Sequence, residues 1–467
     1  MERKEMKLRL LVSLCAVAIA ASCVTVESGG TSVPDPYAGM SPAQRELAQV
    51  EAAAEKLASG DAESAERELA RMAEENPGKT EYKVLHASVL LSQGRIDEAI
   101  VELEAVIATE PGNIDAAYAL AVAYKAKGNL RRARELLDAI LAIDSANCLA
   151  LALYGDIAYA AGETDKALAY YDRAIAANPM CSEALVGRGL ALAKNSRYAA
   201  ALEAFDLAVA ANPGDSVALG YRAMVKRAMH DLAGAEADLS AALALDPDSW
   251  WLRFERARVY IALRDADRAI ADLNVAVASD PEAFSPYLLR SSLLEEKGLY
   301  AEALSDYRKM AAIKPEYFYS FESIGVLSFI LGDFPGSAEG FLGARKYAPE
   351  RLDFAIMASI ATWRSGDAKA AAKVAQDALK GLDRERYPLA YFTIRLLAEQ
   401  NDMTFELEIK IGAEKRLDDK SSYLFYLSEY WDLKGKAELA EKYRAMVREM
   451  HRGATNEYRI VMARYPL

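Results

Sequence analysis

The chain has 467 residues, a formal net charge of −13 at pH 7 and 52% apolar side chains. Acidic overall, with its charges scattered rather than run together, it lacks the clustered Lys and Arg that a nucleic-acid groove or an anionic lipid surface would require. Three histidines (His86, His230, His451) without carboxylate or Cys partners at ligand spacing leave no readable metal site. No phosphate loop, nucleophile elbow or dinucleotide fingerprint is present to support a cofactor or a catalyst.

In chain order, residues 1–23 come first. A start carrying Arg3, Lys4 and Lys7 precedes an apolar run from Leu8 to Ala21, too short to span a bilayer and of the length of a secretory signal. Ala20-Ala21-Ser22 before Cys23 is similar to a relaxed bacterial lipobox, which predicts lipidation of Cys23 and a membrane anchor at that residue. Cleavage after Ala18-Ile19-Ala20, giving an unanchored periplasmic protein, is the alternative. Either way the chain is expected outside the cytoplasm, and as a lipoprotein on the periplasmic side of the inner or outer membrane. Residues 24–45, rich in Gly, Ser, Thr and Pro, predict a flexible tether.

From Glu46 onward a 34-residue period takes over. Prolines stand at Pro77, Pro111, Pro179, Pro213, Pro247, Pro281, Pro315 and Pro349, with Ser145 filling the one missing slot. In the unit Cys148–Cys181, apolar residues at helical spacing break at Gly162, resume from Ala167 and stop at Pro179. Such a unit predicts an antiparallel helix pair, with Gly ending the first helix, an Asp or Asn (Asp61, Asn129, Asp231, Asp265, Asp333, Asp367) capping the second, and Pro closing it. Numbered from Glu46, position 8 is always small (Ala53 through Gly155, Gly189 and Ser359), position 20 is Ala or Ser, and position 24 is usually large, as in Leu137, Tyr171 and Phe205. Small residues at fixed offsets let two helix axes approach, and a leucine at position 8 would clash.

These positions together resemble the tetratricopeptide repeat family, in its bacterial periplasmic or lipoprotein form, over about 46–450. The pattern and the resemblance imply an all-α fold, a right-handed α-solenoid of about twelve stacked helix-turn-helix repeats. Ten repeats are expected over 46–385, a degenerate helix pair over 386–420, a final repeat over 421–453 and a capping helix over 454–467.

In this family the concave surface is built from first helices, chiefly positions 2, 5, 9 and 12. From 250 to 363 those slots carry apolar and aromatic side chains, and Trp251, Phe254, Arg258, Leu288, Tyr319, Phe329 and Trp363 are the candidate partner-binding residues. Asn is missing from positions 5, 6 and 9, which argues against the carboxylate clamp of chaperone-binding members. An arginine ladder at position 7 (Arg188, Arg222, Arg256, Arg290), with Asp238, Asp272 and Asp306 sixteen residues after the last three, predicts ion pairs that staple the stack. Cys148 and Cys181, at the starts of neighbouring first helices, are expected to be free thiols too far apart to bridge. The functional expectation is a scaffold without catalytic residues, cofactor or metal, binding a peptide or helix of a cell-envelope protein. Self-assembly of the chain into a homo-oligomer is the alternative.

Overall fold

The structure, a computed structural model, describes residues 41–58, 61–450 and 455–466; the signal segment, Cys23 and nearly all of the tether lie outside them. Among the described residues every regular element is an α-helix, and none is long and apolar enough to cross a membrane. The chain divides into two compact units between Leu263 and Arg264. In the first, α1 (Pro42–Ala58), α2 (Ala62–Glu75), α3 (Thr80–Ser92) and α4 (Ile96–Thr109) lead to α5 (Ile114–Ala126), α6 (Leu130–Ile143), α7 (Cys148–Ala160) and α8 (Thr164–Ala177). Then come α9 (Ser182–Lys194), α10 (Tyr198–Ala211), α11 (Ser216–Ala228), α12 (Leu232–Leu245) and α13 (Trp250–Ala262). The second unit holds α14 (Ala266–Ser279), α15 (Phe284–Glu296), α16 (Tyr300–Ile313), α17 (Phe318–Leu331), α18 (Phe334–Tyr347), α19 (Leu352–Arg364) and α20 (Ala368–Leu379). It ends with α21 (Pro388–Glu399), α22 (Phe405–Ala413), α23 (Leu417–Leu433), α24 (Ala437–Glu449) and α25 (Asn456–Arg464).

Within each unit consecutive helices pack as pairs, and first helices also touch their counterparts in the next repeat, as α7 touches α9. All six predicted caps form: Asp61, Asn129, Asp231, Asp265, Asp333 and Asp367 each accept a hydrogen bond from the backbone N–H three residues on. Position 15 turns the chain in the left-handed region, at Gly94, Gly128 and Gly162 among others. Ser196, His230 and Arg264 occupy the same slot with φ of 59°, 64° and 60°. There an L side chain costs about 1–2 kcal/mol that Gly does not, so the geometry of the turn is imposed by the stack rather than chosen by the residue.

Positions 8 and 24 are matched in size. Gly155 faces Tyr171, Gly189 faces Phe205 and Gly325 faces Phe341; a Cβ built on any of these glycines would lie 2.4–2.8 Å from the opposing ring. Where position 24 is Leu103, Leu137 or Leu239, position 8 is Ala87, Ala121 or Ala223, all fully buried. The core therefore fills by exchanging volume across the pair, as dense packing demands.

Two boundaries differ from the sequence expectation. Residues 42–45, read as the end of the tether, form the first turn of α1, because Ser41 and Gln44 make a reciprocal capping box: the Ser41 N–H donates to Gln44 Oε1 at 3.1 Å and the Gln44 N–H to Ser41 Oγ at 3.4 Å. Pro42 takes the first helical position, where its missing N–H is harmless. The final repeat starts at Leu417, one turn earlier than 421.

Candidate functional site

In the first unit the inner-face slots are partly filled by their own neighbours. Trp251 lies over Gly220, where a Cβ would come within 2.6 Å of its ring, and its ring centroid is 5.0 Å from that of Tyr221. Phe254 meets Trp250 at 6.3 Å and carries the Arg258 guanidinium over its face at 5.7 Å. Arg258 pairs at 2.7 Å with Glu255, a carboxylate only 3% exposed, which Arg227 approaches to 3.6 Å. Burial, with Arg258 nearby, pulls the Arg227 guanidinium below its ordinary pKa against the attraction of Glu255. Trp251, Phe254 and Arg258 remain half-buried, each with surface to offer.

In the second unit the slots split. Leu288 and Tyr319 are exposed, at 37% and 51%. Phe329, predicted to bind a partner, is instead wholly buried, 5.3 Å from Phe334 and 6.2 Å from Phe425. Trp363 is half-buried with its ring 5.7 Å from that of Tyr430. Helix α23, folded back beside α19, supplies Phe425 and Tyr430, so both residues are packed by the chain itself rather than by a partner.

A second element covers this face. Helix α25 packs on α17, α23 and α24. Asn456 Nδ2 donates to Glu322 Oε1 at 2.8 Å, and Arg459 forms a salt bridge with Glu295. Arg464 Nη1 donates to the carbonyls of Phe329 and Ile330, both at 3.3 Å, and its guanidinium lies 4.8 Å from the Phe334 ring. Ile460 and Val461 are fully buried in the same apolar cluster as Val326, Phe329 and Ile356. Glu295, Glu322 and Phe329 occupy positions 12, 5 and 12 of their repeats, the slots assigned from sequence to ligand contact.

The chemistry of this seat is acidic on the receiving side. Burial raises the Glu322 pKa, opposed by Arg351, which is 3.1 Å away. On the docked helix itself, burial likewise raises the pKa of Glu457, which accepts from Tyr426 Oη at 2.5 Å and Ser422 Oγ at 2.9 Å of the receiving α23. Arg459, Arg464 and Asn456 had no repeat position to single them out. Their only signal in the sequence is a short segment with Ile460 and Val461 flanked by arginines, within the capping helix expected over 454–467.

The arginine ladder is structural. Arg222 binds both carboxylate oxygens of Asp238, at 2.8 and 2.7 Å, and reaches Asp206 of the preceding repeat at 3.0 Å. Arg290 does the same with Asp306 and Asn274, and Arg188 reaches Asp172 at 2.8 Å. Arg222 and Arg290 thus look sixteen residues back as well as forward, while Arg188 looks only back, and the backward partner has no counterpart in the predicted ladder.

Cys148 and Cys181 are free thiols, and they share one apolar cluster of the first unit, close enough for each to shift the other. The Cys181 thiol, with help from Asn178 against burial, lowers the Cys148 pKa to about 7, while Cys181 is pushed up by Cys148 and by burial. Iodoacetamide should therefore label Cys148 with a midpoint near neutral pH, more than a unit below an ordinary thiol. Cys181 should stay unlabelled until the chain unfolds. Peptide mapping after a pH series checks this, and equal labelling of both at pH 9 only would contradict it.

One tetratricopeptide repeat model matches residues 50–110 and 154–216, and a second matches 90–157 and 226–291. The chain belongs to the tetratricopeptide repeat family. Its solved relatives in shape include pilF of Pseudomonas aeruginosa, at 19% identity and a TM-score of 0.38 over 46% of this chain and 97% of that one. PilW, described as a widely conserved type IV pilus biogenesis factor, aligns at 19% identity and 0.39 over 45% and 97%. A tetratricopeptide repeat protein of Parabacteroides merdae aligns at 22% and 0.39 over 52% and 96%. Among curated proteins nothing matches the sequence.

Proposed function

We propose that this tetratricopeptide repeat protein is a non-enzymatic interaction scaffold of a bacterial cell envelope, exported by its leader and anchored through lipid on Cys23. It seats a helix or extended segment of an envelope protein on the inner face of its first helices. The observation that carries this reading is in the second unit, where inner-face slots hold a helix from far along the chain through charged and apolar contacts. A surface of this make accepts helices, and in the first unit Trp251, Phe254 and Arg258 keep surface for one.

In-cell cross-linking with mass spectrometry tests it. Wild type should capture a specific envelope protein that a Trp251→Ala, Phe254→Ala, Tyr319→Ala variant loses while keeping its helical melting curve. Identical capture by both sinks the inner-face assignment. The anchor is checked separately by fatty-acid labelling, which Cys23→Ser should abolish.

A further inference from the structure

Helix α25 is unlike the rest of the stack. Repeat helices touch near neighbours, whereas α25 reaches partners 134 to 164 positions earlier, at Glu322, Phe329, Ile330 and Glu295. It has nine residues, and helices that short are marginal in water unless something packs on them. Its docking is sided. Two arginines five positions apart engage carboxylate and carbonyl oxygens, and between them Ile460 and Val461 are fully buried. The receiving side offers Glu295 and Glu322 from successive repeats, at slots that point inward.

We propose that the inner face of the second unit is a receptor for an amphipathic helix bearing two arginines five positions apart around an apolar pair. Helix α25 fills that receptor in cis until such a helix from a partner protein takes its place. This rests on the scaffold reading above and adds to it the chemistry of the partner and the occupant that competes with it. A closed receptor weakens any outside ligand by the fraction of time it stands open, and loosening α25 removes that handicap.

The experiment uses the whole mature chain and a fluorescein-labelled peptide of residues 455–466. Anisotropy is measured against wild type and two variants that release α25, Arg459→Glu/Arg464→Glu and Ile460→Ser/Val461→Ser. Both released variants should bind the peptide about tenfold or more tighter than wild type. Adding Glu295→Lys to the Ile460→Ser/Val461→Ser variant should abolish that binding, and a peptide carrying Arg459→Glu should restore it. Equal affinity for wild type and released variants overturns the proposal, as does absence of binding to a released variant that keeps wild-type circular dichroism. Should both variants fail to fold, amide exchange on wild type decides: residues 456–464 exchanging about tenfold or more faster than the centre of α17 is the expected result, and equal protection overturns displacement. A wild-type dimer that disappears with Glu295→Lys/Glu322→Lys would place α25 in a second copy and overturn the cis occupant. Loss of the cross-linked envelope partner with peptide binding intact would instead count against the scaffold reading.

Discussion

Arg290→Ala is expected to destabilise the second unit by about 3–5 kcal/mol, the usual loss when one partner is stripped from a buried ion pair. Its guanidinium holds both oxygens of Asp306, at 2.9 and 2.5 Å, with side-chain exposures of 18% and 3%. Removing it leaves a carboxylate in the helix pair without the donors that offset its desolvation. In a unit of this size each kcal/mol moves a thermal midpoint by about 2–4 °C, so calorimetry should show a drop of about 6–20 °C. Arg290→Met with Asp306→Leu should recover most of it, because replacing a whole buried pair by apolar side chains is often neutral. A single variant within 1 °C of wild type would demote the staple to a surface pair. Arg222 is expected to be more forgiving, since Lys226 also reaches Asp238, at 2.8 Å.

The second large effect is expected at Glu429→Ala. Glu429 is fully buried in α23 and binds Arg364 at 2.5 Å and Arg444 at 3.2 Å; Tyr465 Oη donates to it at 3.3 Å. Without it two arginines, at 13% and 8% exposure, share the single carboxylate of Asp432 at 2.6 and 3.1 Å. A loss of about 3–5 kcal/mol is expected, together with faster amide exchange over α25, whose end Tyr465 secures. Loss of stability without any change at α25 would separate the cluster from the docked helix. Acid acts through the same cluster. Burial tends to raise the Asp432 pKa, but Arg364 and Arg444 outweigh it and hold the carboxyl below its ordinary value. Its contribution is therefore complete above the ordinary carboxylate range and lost as pH falls through the depressed pKa.

What could be read from the sequence was what each repeat must satisfy alone. Position 15 has to turn left-handed, positions 8 and 20 have to admit a neighbouring axis, and position 24 has to fill the gap; each demand leaves a residue type behind at a fixed interval. Where the demand was met by an atypical residue, as at His230 and Arg264, the interval still marked the turn. The face expected to bind a partner is legible only by repeat position. Phe329 and Trp363 hold position 12 of their repeats, but what covers them comes from α23 and α25, and no period connects Phe329 to Phe425 or Glu295 to Arg459. The closeness of Cys148 and Cys181 is not legible from their places at the starts of neighbouring first helices, because how near two such starts come is set by the packing of adjacent repeats and not by any residue pattern.

The contact between Arg459 and Glu295 spans 164 positions, and it encloses every helix from α16 to α24 in one loop. A stack with only nearest-neighbour contacts comes apart by increments, each repeat melting on its own account. A clasp across the stack makes the intervening helices share one fate, because none of them can open fully while it holds. Release of α25 would thus do more than uncover a surface: it would turn a cooperative block back into a row of separable repeats.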